Sequence, residues 1–255
     1  MKKIINWKLF AKLLVFSLIS AFMVLPYIFA LSPILIELFT PVVVAAQIIQ
    51  TIILFSVAIF IGMLLYKRVG FSMPYLEGIK PAREIKSILK LSVGVGILAG
   101  VLIILMSIPF SSLSASMLQA EMGVATWKGI LASFYGGIAE EIMFRLFLMT
   151  LFVWISFKIK QTNEGKPTAG GIWIAIILST ILFGLGHLGI TSDLTAITPI
   201  VISRAVLLNG VSVFFGWLYW KKGLESAMIA HFSADIVIHV ITPIIAKLTL
   251  SSIIA

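Results

Sequence analysis

Seven stretches of this chain are long and apolar enough to cross a bilayer as helices, near 9–31, 42–66, 87–109, 124–157, 170–188, 195–220 and 224–250. A hydrocarbon core of roughly 30 Å takes about 20 residues of helix, and inside it each segment must satisfy its own backbone N–H and C=O groups. Composition agrees: 60% of residues are hydrophobic and 11% charged, against about 25% charged in a soluble domain. The expected fold class is therefore all-α, a polytopic transmembrane helix bundle. It has seven spans, or eight if the long fourth stretch breaks near Gly136-Gly137. Pro243 lacks an N–H and is expected to kink the last helix.

The net charge of +9 invites a nucleic-acid reading, but the distribution of charge argues against one. Lys2, Lys3, Lys8 and Lys12 open the first stretch, and Lys67, Arg68, Lys80, Arg83, Lys86 and Lys90 lie between the second and third. Lys158, Lys160 and Lys166 follow the fourth; Lys221 and Lys222 precede the last. These are fifteen of the 19 cations, all in alternate loops, while 32–41, 110–123 and 189–194 hold no Lys or Arg. This is the positive-inside pattern, with a cytoplasmic N-terminus in a multi-pass protein of the cell membrane. The basicity is topology, with attraction to the lipid bilayer and no nucleic-acid partner. Met1-Lys2-Lys3 and the apolar run after it imitate a signal peptide. The run exceeds the usual length of about 7–15 residues, so an uncleaved anchor is expected.

Ionisable groups inside the apolar stretches are few, and they cluster from Glu140 onward. Charge at bilayer depth costs on the order of 2.5–3.5 kcal/mol on insertion scales, and such residues face a partner or a cavity. Glu140 and Glu141 are adjacent, and Glu141 and Arg145 share a helix face at i, i+4. Arg145 is expected to neutralise and orient Glu141, which leaves Glu140, about 100° around the helix, free to exchange a proton. His231 and Asp235 are also i, i+4, and His187 follows Gly184 and Gly186. His239 and Arg204 are read as structural. Measured from the basic side, His187 lies about 17 residues into its stretch and His231 about 8, an offset of roughly 13 Å at 1.5 Å per residue. The two meet only if the fifth span starts below the surface or tilts.

Several chemistries fail for want of their residues. No H-E-x-x-H or G-x-S-x-G occurs, there is no cysteine, and the only aspartate besides Asp235 is Asp193, in a loop. What survives is water activated by a carboxylate with histidine help, with or without a metal.

Glu140-Glu141-x-x-x-Arg145, Phe183-x-x-x-His187 and His231-x-x-x-Asp235, in this order, resemble the three motifs of the CPBP (CAAX protease and bacteriocin-processing, or Abi) membrane proteases, which include the type II CAAX prenyl endopeptidases. The resemblance implies an intramembrane endopeptidase domain over 123–240. N-terminal packing helices over 1–122 precede it, and the end of the last helix with a tail over 241–255 follows. It implies a peptide or protein substrate at the membrane and a cavity open to the cytoplasm or inner leaflet. Glu140 would be the general base, His187 would hold the attacking water, and His231 with Asp235 would stabilise the oxyanion. The CAAX enzymes typically carry Asn where this chain has Asp235, and an ionised carboxylate cannot donate to an oxyanion. Three roles stay open for Asp235: a protonated donor, an orienter of His231, or, with His187 and His231, a zinc ligand. No cofactor is certain. A proton-coupled transporter and a non-catalytic immunity or scaffold protein are the competing functions. No residue pattern names the substrate, which could belong to bacteriocin or peptide processing as readily as to prenyl-protein maturation, and none sets the oligomeric state.

Overall fold

A computed structural model describes residues 5–192 and 195–254, apart from the side chains at 190, 253 and 254. Met1-Lys2-Lys3 and Asp193 lie outside the described residues. Among those described, every regular element is helical, and seven helices have the length and apolarity to cross a membrane: Trp7–Leu31, Pro41–Val69, Ala82–Met106, Thr126–Ile159, Ala169–Gly186, Pro199–Lys222 and Leu224–Ser252. Each expected stretch falls on one of them. The protein is an all-α, multi-pass membrane bundle.

Two local expectations change. Gly136-Gly137 do not break the fourth span, which continues through two π-helical stretches, Gly136–Glu140 and Ile142–Met149. The Thr150 hydroxyl donates to the carbonyl of Arg145, five residues back, at 2.9 Å. The paired glycines serve close approach instead, since a β-carbon on Gly137 would crowd the Met228 carbonyl and Phe232 of the seventh span. The segment expected as a polar outer loop holds a helix, Ser111–Met122, rich in Ala, Leu, Met, Gln and Glu, which favour helix once Ser111 has begun it. The last span widens over Val237–Ile241, ahead of Pro243, which cannot donate to the His239 carbonyl.

The third span lies along the first half of the seventh, where Gly96 and Gly100 bring its backbone against the Ala230 carbonyl and Val237. Ser92 and Ser226 hydroxyls meet there at 2.6 Å. Gly94, on the same helix, has no neighbour within 4 Å of a β-carbon built on it. At the end carrying the basic loops, residues 70–81 fold back under the bundle and bury Phe71 and Met73. Two glutamates hold this plug. Glu77 pairs with Lys67 at 2.6 Å and accepts from the Tyr66 hydroxyl at 2.8 Å and the Met73 N–H at 3.2 Å. Glu225 accepts from the N–H groups of Tyr75 and Leu76 at 2.8 and 2.7 Å.

Candidate active site

The fourth span supplies two carboxylates that meet one imidazole of the seventh. Glu141, wholly buried, accepts from His231 Nδ1 at 2.8 Å, and the same oxygen lies 3.2 Å from Arg145. Arg145 donates onward to the Ser212 carbonyl at 2.8 Å and lies over the rings of Phe183 and Phe215. Glu140, with 17% of its side chain exposed, places Oε2 at 3.6 Å from His231 Nε2. The i, i+4 pair is thus present as expected, but it is part of a chain from Arg145 through Glu141 to His231. In a straight α-helix neighbours diverge by about 100°; the π turns on either side of Glu141 are part of how both glutamates come to face the same ring.

Asp235 faces the same Nε2, with Oδ1 at 3.6 Å. The hydrogen bond that orients His231 therefore comes from Glu141, and Asp235 stands with Glu140 on the open side of the ring. Gly136 makes room for this carboxylate: a β-carbon there would overlap Asp235 Oδ2 and come within 3.2 Å of His231 Nε2. Phe215 stacks on His231, ring centres 4.8 Å apart and planes 21° apart.

His187 caps the fifth helix. Its Nδ1 lies 2.9 Å from the Phe183 carbonyl; a carbonyl only accepts, so Nδ1 carries the proton and Nε2 is left as the acceptor of a neutral ring. Phe183 sits between the two histidines, its centre 4.6 Å from His187 and 5.5 Å from His231. The depth offset expected between them does not separate them, because both line one cavity of about 520 Å³ with Glu140 and Asp235. Tyr27 and Leu31 of the first span and Ile103 of the third also line it, so residues before 122 form part of the wall. At its far end Tyr27 donates to Glu121 at 2.9 Å, and His239 Nδ1 lies 3.1 Å from the same oxygen. Arg204 donates to the Ser114 hydroxyl at 3.2 Å.

The zinc reading of His187, His231 and Asp235 fails a test of fit: among the described residues no three His, Asp or Glu side chains are gathered closely enough to hold an ion. The bond from His231 Nδ1 to Glu141 leaves Nε2 free, and no step below runs through a metal. Sequence reading missed Phe215, Gly136 as a spacer, Tyr27 and Glu121. Only Gly136, beside the paired glutamates, gave a local signal.

Residues 122–237 match the family described as type II CAAX prenyl endopeptidase Rce1-like. The matched segment contains Glu140, Glu141, Arg145, His187, His231 and Asp235 and ends before His239. No curated protein and no solved structure matches the chain.

Proposed function

We propose that this chain is a glutamate-dependent intramembrane endopeptidase acting on a peptide or protein substrate, with Glu140 as general base; the match of residues 122–237 to the CAAX-protease family supports a membrane protease. Glu140 takes a proton from a water in the cavity. The oxygen so freed bonds to the scissile carbonyl carbon, and the carbonyl electron pair moves to its oxygen. His231, fixed through Nδ1 by Glu141, presents Nε2 to that oxyanion, and the carboxylate of Asp235 on the same side supports a proton on Nε2. Collapse breaks the C–N bond, and Glu140 returns its proton to the leaving amine. His187, through Nε2, accepts from the attacking water. Arg145 acts through Glu141 and touches no reacting atom. The apolar rings of Phe144, Phe183 and Phe215 surround these charges with a medium in which they act more strongly than in water.

The observation that carries this reading is the division of labour around His231: of the two glutamates that face it, Glu141 is neutralised by Arg145 and Glu140 is left on the cavity. Glu140→Gln should cut peptide turnover by about 10²–10⁴-fold with unchanged thermal unfolding, read as uncut substrate in comparative membrane proteomics and in assays with the peptides so found. A folded Glu140→Gln protein with wild-type turnover would remove the base from this mechanism.

A further inference from the structure

The cavity occupies one half of the bundle, and it is the half away from the basic loops. It is lined by the second half of the first span (Tyr27, Leu31), the first half of the fourth (Ala132 to Phe144) and the end of the fifth (Phe183 to His187). The sixth span from Arg204 to Phe215 and the middle of the seventh complete it, and Met117, Glu121 and Thr191 of the connecting segments lie at its far end. Toward the other end the bundle is solid. Leu146, Met149, Leu218, Tyr219 and Leu224 are fully buried, and the plug at 70–81 lies beneath them. Glu121 and His239, at the far end, have side chains 19% and 26% exposed.

The two ends differ in charge. Among the described residues, thirteen cations lie toward the plugged end, against Lys128 and Lys247 near the open one, whose connecting segments hold none. Lys and Arg in short loops are retained in the cytoplasm during insertion. The plugged end is then cytoplasmic, and the cavity lies in the opposite half of the bundle.

We infer that the substrate reaches Glu140 and His231 from the extracytoplasmic face: the polypeptide cut is an exported or outer-leaflet segment, not a cytoplasmic tail. This rests on the protease reading and reverses the cytoplasmic access implied by family resemblance. The hydroxyl, carboxylate and imidazole of Tyr27, Glu121 and His239 give the mouth polar partners for a hydrated backbone.

The absence of cysteine makes the test direct. Single cysteines are placed by Ser112→Cys, exposed at the open end, by Gln161→Cys, exposed at the plugged end, and by Leu31→Cys and Met117→Cys in the cavity wall. A membrane-impermeant maleimide added to intact cells should label Ser112→Cys and the wall variants to the level reached after permeabilisation. Gln161→Cys should label only after permeabilisation. Labelling of Gln161→Cys in intact cells with protection of Ser112→Cys would overturn the inference. So would wall cysteines that react only in inside-out vesicles. Labelling needs no turnover, so its outcome is independent of the Glu140→Gln assay.

Discussion

Replacing Arg145 by methionine tests the chain of charge at its most buried point. Arg145 heads the fully buried side chains by volume, and its ion-pair partner Glu141 has no exposure at all. Methionine keeps the length and apolar stem but leaves Glu141 charged, with only His231 to answer it, and frees the Ser212 carbonyl. Removing one member of a buried pair costs about 3–5 kcal/mol, because the survivor is stranded. Against a total stability of about 5–15 kcal/mol that is a large share. At about 2–4 °C per kcal/mol for a chain of about this size, Tm in detergent should fall by about 6–20 °C. The double variant Glu141→Leu with Arg145→Met removes both charges and should regain much of that loss, since apolar replacement of a buried pair is often neutral. It should stay inactive, because His231 loses the acceptor that sets its Nδ1. Thermal unfolding and turnover, measured side by side, check both. An Arg145→Met protein with wild-type Tm, or a double variant no more stable than the single, would refute the reasoning.

Gly136→Ala places a methyl against Asp235 Oδ2 and His231 Nε2; shifts near 1 Å at a reacting centre cost about 10²-fold, so turnover should fall by that order. Gly94→Ala meets open space and should keep activity while gaining about 0.5–1 kcal/mol of helix stability; equal turnover in the two variants would count against the spacer role. At the plug, burial opposes the charge of Glu77, but Lys67, the Tyr66 hydroxyl and the Met73 N–H outweigh it and hold the carboxyl below its ordinary range. A depressed carboxyl contributes stability above its unfolded value, about 4.3, that is lost as pH falls through the lower folded value. Tm should therefore drop on acidification through that window, and Glu77→Gln should flatten the drop; an unchanged slope would exclude Glu77 as its source.

Membrane spans were legible because they are a property of local composition, and so was the Glu141–Arg145 pair, because i, i+4 contact is set by helix pitch alone. The charge bias between alternate loops was equally plain. Whether the fourth span breaks is open from sequence, since paired glycines signal both a break and a close approach, and only the neighbouring Met228 carbonyl and Phe232 decide which. Serines punctuate 110–123 and suggest a loop, although its other residues favour the helix that forms.

Local composition carries a membrane-spanning helical bundle, its charge asymmetry and the short list of intramembrane acids and bases, all quantities fixed by neighbours within a few residues. Tertiary structure decided that Glu141 rather than Asp235 holds His231, that Phe183 stands between the two histidines, and that the first span walls the cavity. It also decided on which side of the site the bundle is solid. Such pairings join residues up to 212 positions apart, as between Tyr27 and His239. They arise only when rigid helices close on one another and the packing of side chains such as Phe215 and Gly136 selects one register, information no local window of sequence contains.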